Sequence, residues 1–328
     1  MDIVRVSNLK KVKNPTTNRS HYANPVIEKL MRDEIIAESM QVKLSTEGNT
    51  ENTWRDLLFG NKLGYQALLF NLRSILKTGN EELIDKACSN LVDAEAIKRS
   101  LTFPHQFITA YDAIKTSGLA HKHKVLAALE KAVDTSVSNV PAFEEPTLIA
   151  LDTSSSMRGN GFNGYMSNGK APYEYSSILG AALHKNNSST TDVMLFDSTA
   201  RYLKVAPGDS VISMSKTLKN MTRGGATYMH KIFENANKAY HRIIILTDNE
   251  SYGRREDQPA LDAYAKSIGF QPIVHVLRLS DQSGTLTLNP NKVYQISGFS
   301  DKVFDIMAVL EKSPTSMIDH IQNSVYLR

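Results

Sequence analysis

The chain has 328 residues, 41% hydrophobic, 22% charged and 8% aromatic, with a formal net charge of +4. This suits about two ordinary globular domains and permits nucleic-acid binding without demanding it. Cys88 is the only cysteine, which excludes an intrachain disulfide or a Cys-based zinc site. Together with the lack of a signal-peptide core or any apolar run near the roughly 20 residues of a bilayer span, it predicts a cytoplasmic protein with no membrane partner.

Residues 1–24 form a basic arm, in which Arg5, Lys10, Lys11, Lys13 and Arg19 face only Asp2. Residues 25–140 read as helices. Tyr65, Leu68, Leu69, Leu72, Ile75 and Leu76 recur at helical spacing, with Gly79 just beyond as a stop. Pro104 suits the first turn of another helix, striped by Phe107, Ile108, Tyr111 and Ile114, and "KVLAALEKAV" makes a third. Short amphipathic helices cannot each bury a face alone, so they are expected to stack. "SVSNVPAFEEP" breaks the pattern at residues 136–146. From 141 to 312, short apolar runs ("TLIALD", "DVMLFDS", "HRIIILTD", "QPIVHVLRL" and the weaker "KVYQIS") alternate with helix-like segments near 175–185, 210–220, 229–239 and 257–268. That alternation predicts an α/β fold, a largely parallel sheet between helices. Residues 313–328 remain as a C-terminal tail.

In such a sheet ligands sit beyond the carboxyl ends of the strands. "TLIALD" runs into Asp152-Thr153-Ser154-Ser155-Ser156, "IIIL" runs into Thr247-Asp248-Asn249-Glu250, and "TRGGATYMH" places Thr227 in a Gly-rich loop before a helix. In an extended turn alternate side chains point the same way, so the D-x-S-x-S spacing aims Asp152, Ser154 and Ser156 together. Hard oxygens with few charges suit an octahedral Mg²⁺, with Mn²⁺ as its substitute, and leave a position open for the carboxylate of an acidic protein partner. Taken alone, D-x-S-x-S is more often a helix cap than a metal site. "GNGFNG" at 159–164 spells G-x-G-x-x-G but lacks the strand directly before it and the helix directly after it that a dinucleotide site needs. "HKHK" at 121–124 opens a helix and can form a basic patch or a solvated face. No nucleophile–base pair stands out, so the expectation is a binding protein and not an enzyme.

"ALDTSSSM", "GGAT" and "TDNES", in that order, resemble the metal-ion-dependent adhesion site of von Willebrand factor A domains. The resemblance carries to Asp152, Ser154 and Ser156 in the first loop, Thr227 in the second and Asp248 in the third. With "GFSDKVFDIM" they look like the A domain of Ro ribonucleoproteins. "WRDLLFGNKLGYQALLFNLRSIL" and "SLTFPHQFITAYDAIKTSG" are similar to that family's helical-repeat module, called TROVE. The resemblance implies a helical module followed by a Rossmann-like A domain, binding of small noncoding RNA, and assembly into a ribonucleoprotein. Two departures stand out: the matching stretches correspond to the later part of the module, and Ala226 precedes Thr227 with no Asp after it. A shortened module strips the helices near 54–77 of their usual neighbours. Val26, Ile27, Leu30 and Met31 could cover one face, and self-association or entry into a larger assembly is expected. Local charge density nominates Lys10, Lys11, Lys13, Lys122 and Lys124 for RNA contact. The competing expectation is an assembly component that grips an acidic partner through the metal site, with no RNA role.

Overall fold

The computed structural model describes residues 11–13, 20–22, 47–158, 171–206, 208–221, 223–248, 251–279, 288–289, 291–297 and 302–312. Lys10, Val26, Ile27, Leu30, Met31, the 159–164 loop and the 313–328 tail lie outside them. The chain divides into two compact units, residues 1–96 with 112–128, and residues 97–111 with 129–328. Among the described residues no helix is long and apolar enough to cross a membrane.

The first unit begins with a short antiparallel ladder, β1 (Lys11–Lys13) against β2 (Ser20–Tyr22). Strand pairing was not expected in this basic segment, and three residues a side make a marginal ladder. Helix α1 (Glu51–Phe59) starts at Thr50, whose hydroxyl accepts from Thr53 N–H, and buries Trp54, Leu57 and Leu58. Helix α2 (Tyr65–Lys77) buries the expected stripe Leu68, Leu69, Leu72, Ile75 and Leu76 and stops before Gly79, which takes φ 67°. Helix α3 (Glu81–Leu91) is capped by Asn80, which accepts from Leu83 N–H at 3.1 Å, and buries Leu83, Ile84, Ala87 and Leu91. The Tyr65 hydroxyl donates to Leu91 O at 2.6 Å and pins α2 to α3. Helix α4 (Ala94–Ser100) follows, and the unit boundary then passes within α5 (Pro104–Lys115) and α6 (Lys122–Ser136).

The second unit is built on a six-stranded sheet. Its strands are β3 (Thr147–Asp152), β4 (Thr191–Phe196), β5 (Ala200–Leu203), β6 (Arg242–Thr247), β7 (Ile273–Arg278) and β8 (Val293–Ser297), in the order β5-β4-β3-β6-β7-β8. Every neighbouring pair is parallel except β4 with β5. All six residues of β3 are buried, as a strand covered on both faces requires. The helices are α7 (Pro172–Asn186), α8 (Val211–Asn220), the short α9 (His230–Asn235), α10 (Arg254–Ile268) and α11 (Lys302–Lys312). One core cluster gathers Leu148, Ala150, Met194, Phe196, Ile243, Ile245, Val274 and Val276 from the strands with Ile232, Phe233, Leu261 and Tyr264 from α9 and α10. Because β3, β4 and β6 are parallel, their carboxyl ends share one edge, which brings Asp152, Asp197 and Asp248 into the same neighbourhood.

Candidate metal centre

The first loop obeys the alternation read from its spacing. Ser154 Oγ lies 3.2 Å from Ser156 Oγ, so these two hydroxyls share a side. Thr153 turns away, donating to Asp197 Oδ2 at 2.9 Å and to Phe196 O at 3.1 Å. Ser155 turns away too, accepting from Gly225 N–H at 2.9 Å. Asp152, 1% exposed, accepts from Ser154 N–H on Oδ1 at 2.8 Å and from the Thr247 hydroxyl on Oδ2 at 2.6 Å. The Thr247 bond joins the first loop to the third.

The second loop is tied to the first by its backbone. Gly224 N–H donates to Thr153 O and Ser155 N–H to Gly225 O, each at 3.1 Å. Gly224 and Gly225 take φ 79° and 127°, a region that disfavours any side chain. A Cβ on Gly225 would also lie 2.8 Å from Ser198 Oγ, which itself accepts from Ala226 N–H. This loop delivers Thr227 buried, at 1% exposure, and Thr227 O accepts from Tyr252 N–H of the third loop at 2.9 Å.

Burial raises the Asp152 carboxyl to about 7, and the neighbouring Asp248 charge adds to the rise. Hydrogen bonds from Ser154 and Thr247 offset part of it. Two nearby buried carboxyls with hydroxyls around them make a set of oxygen donors that a divalent cation would relieve electrostatically. The Ser154–Ser156 separation fits such an ion, since adjacent ligands of an octahedron with about 2.1 Å bonds lie about 3 Å apart. Asp152, Ser154 and Ser156 share the first loop, Asp248 lies near enough to raise the Asp152 carboxyl, and Thr227 follows Gly225 in a loop tied to the first through Gly225 and to the third through Tyr252.

Side chains that the spacing did not single out hold this arrangement. Asp197 accepts from Thr153 and from Arg201 Nη1, at 2.9 and 3.1 Å. Asp257, on α10, accepts from His230 N–H and from the Ser251 hydroxyl, both at 2.9 Å. A signal for Asp197 and Ser198 was present, because "DVMLFDS" also ends an apolar run in a carboxylate and a hydroxyl. Asp257 gave none.

The basic candidates fare differently. Lys11 and Lys13 lie in β1, but their side chains, like Lys10, are outside the described residues. Lys122 Nζ donates to Lys115 O and Ser117 O at 3.3 and 3.1 Å, closing the end of α5. Lys124 Nζ binds Glu81 Oε1 at 2.6 Å and Asp85 Oδ1 at 2.9 Å. Both amino groups are engaged within the first unit. A different surface there combines an aromatic ring with cations. Phe59 is 45% exposed, with Arg55 Cζ and Lys86 Nζ each 5.7 Å from its ring centroid.

Comparison with known proteins agrees with this architecture. The TROVE domain family matches residues 29–133. Telomerase protein component 1 of Mus musculus is 32% identical over 81 residues, and that of Rattus norvegicus 31% identical over the same length. These segments cover 24% of this chain but only 3% of those proteins. The crystal structure of the Deinococcus radiodurans Ro (Rsr) protein is similar with a TM-score of 0.60 at 18% identity, over 85% of this chain and 62% of that one. The chain thus spans less than two thirds of the solved relative and a small part of the curated ones. The chain is thus similar to the TROVE family in its helical residues and shares the fold of the Ro protein over most of its length.

Proposed function

We propose that the chain is an RNA-binding component of a ribonucleoprotein. In this reading its α/β unit holds Mg²⁺ or Mn²⁺ through Ser154, Ser156 and Thr227, with Asp152 and Asp248 binding directly or through water. The observation that carries it is the pairing of a TROVE match in the helical residues with an oxygen-donor cluster at the carboxyl edge of the sheet. The donor chemistry supports a hard cation, for which carboxylates and hydroxyls are the fitting ligands. When bound, the ion supplies a position for an anionic oxygen, such as a carboxylate of an acidic protein partner.

For RNA, the Phe59 surface is better placed than Lys122 and Lys124. A half-exposed ring beside the Lys86 ammonium can stack a base and attract phosphate together, while the Arg55 guanidinium there is paired with Glu82 at 2.8 Å. The RNA expected there is small and structured, and its binding weakens steeply with salt because phosphate contacts release counterions. Filter binding of a structured RNA to the full chain at about 0.1 M salt tests this, where screening is moderate. Saturable binding that fails at high salt is expected, and no binding at either salt contradicts the RNA reading.

A second reading, self-association through the first unit, is favoured by Phe70 of α2, which is 65% exposed. Large exposed aromatics are enriched where partners dock. Light scattering across micromolar concentrations decides it: Phe70→Glu lowers the average mass if this face joins copies, and a monomer at every concentration removes the reading.

A further inference from the structure

Asp257 is fully buried in the first turn of α10. Its Oδ1 accepts from His230 N–H and its Oδ2 from Ser251 Oγ, both at 2.9 Å. His230 opens α9 three residues after Thr227, and Ser251 follows Asp248 by three. One carboxylate therefore grips both loops that carry the later donors of the cluster. Two further contacts press the same loops together. Tyr252 N–H donates to Thr227 O at 2.9 Å, and a Cβ on Gly253 would lie 2.5 Å from His230 Nδ1, so the third loop lies flush against the first turn of α9. The ring itself approaches Asp257 only to 3.6 Å, at Nδ1.

A buried carboxylate is costly unless its lone pairs are used, and an apolar side chain would fill the space under α10 more cheaply. What an apolar side chain cannot do is hold two donors on different loops at a fixed separation. We propose that Asp257 is a positioning residue for the metal centre, keeping Thr227 and Asp248 in register and so setting the affinity for the ion without touching it. The inference rests on the metal-site reading above. Partners that orient metal ligands typically change affinity about 10- to 100-fold when removed. Losing one neutral hydrogen bond is worth about 2- to 10-fold.

The test is calorimetric titration of Mn²⁺ into the full chain, comparing wild type with Asp257→Ala, Asp257→Asn and Ser251→Ala, and with Asp152→Ala as the site control. Asp257→Ala is expected to weaken Mn²⁺ binding about tenfold, and Ser251→Ala about threefold. Asp257→Asn should stay close to wild type, because an amide can accept from His230 N–H and donate to Ser251 Oγ. A merely structural role would not order the three variants this way in metal affinity. Folded Asp257→Ala binding as tightly as wild type overturns the proposal, as does Asp257→Asn as weak as Asp257→Ala. Should Asp257→Ala fail to fold, unchanged affinity in Ser251→Ala overturns it instead. A wild type that binds no Mn²⁺, or binds it no better than Asp152→Ala, is a different result: it removes the metal reading and this inference with it.

Discussion

The two ends of the same sheet treat their carboxylates in opposite ways. At the amino end, Glu311 of α11 receives Arg242 through Nε at 2.6 Å and Nη2 at 2.5 Å, and lies 2.8 Å from His275 Nε2. Burial opposes ionisation there, but hydrogen bonds and charge from Arg242 and His275 outweigh it and draw the Glu311 carboxyl down to about 2. Arg242 is held in turn by Thr147 Oγ1 at 3.1 Å and by the Phe143 ring at 4.6 Å. At the carboxyl end, Asp152 has hydroxyl and amide donors and a carboxylate neighbour, and its carboxyl is pushed up to about 7. One end is neutralised by its own cations and serves to fasten a helix. The other concentrates negative potential in buried oxygens, the condition in which an external cation gains most. Charge balance thus separates a structural acid from the acid proposed to bind a cation, where burial alone does not.

Three perturbations sharpen that contrast. The largest effect is expected from Asp152→Ala, which should abolish Mn²⁺ binding by calorimetry, a loss above about 100-fold. It should leave the melting temperature of the metal-free protein no lower, since it removes one of two repelling carboxylates. Next, Glu311→Ala should cost about 3 kcal/mol, because it strands Arg242 in a partly buried site. Thermal unfolding reads that loss, and Mn²⁺ affinity should not change. The pH dependence carries a definite sign. Glu311 ionises more readily in the folded chain than in the unfolded one, where its pKa is about 4.3. Its contribution is therefore fully present above that value and is lost as pH falls from about 4 toward about 2. The stability difference between wild type and Glu311→Gln should shrink over that window in acid-unfolding curves.

Smaller effects belong to the helical unit. Phe59→Ala should weaken structured-RNA binding about 5- to 10-fold in filter assays, the value of one stacked base. Smallest of all, Lys124→Ala should change stability by less than about 1 kcal/mol, since its ion pairs to Glu81 and Asp85 are solvent-exposed. RNA affinity should be unaffected, because that amino group already answers to two carboxylates.

Much of this architecture was readable from periodicity. "TLIALD" is β3 residue for residue, and the α2 stripe is buried as spaced. The D-x-S-x-S alternation survives in the Ser154–Ser156 approach, with Thr153 and Ser155 directed elsewhere. What escaped has two physical sources. Strand β5, "ARYL", is an edge strand of half-buried residues, so it carries no apolar run to detect, and the helix foreseen over 229–239 is only α9, His230–Asn235. Asp257, and the pairing of Lys124 with Glu81 and Asp85, depend on contacts between segments far apart in sequence. Local charge density nominated Lys124 for RNA contact, and the carboxylates that pair with it sit on α3, out of reach of a local reading.

The most direct measurement is anomalous scattering from crystals of the full chain grown with Mn²⁺. The account predicts a manganese peak at the carboxyl edge of the sheet, within bonding distance of Ser154 Oγ, Ser156 Oγ and Thr227 Oγ1, and absent from Asp152→Ala. A cluster that stays empty while Mn²⁺ is bound elsewhere, or a peak that survives Asp152→Ala unchanged, would contradict it.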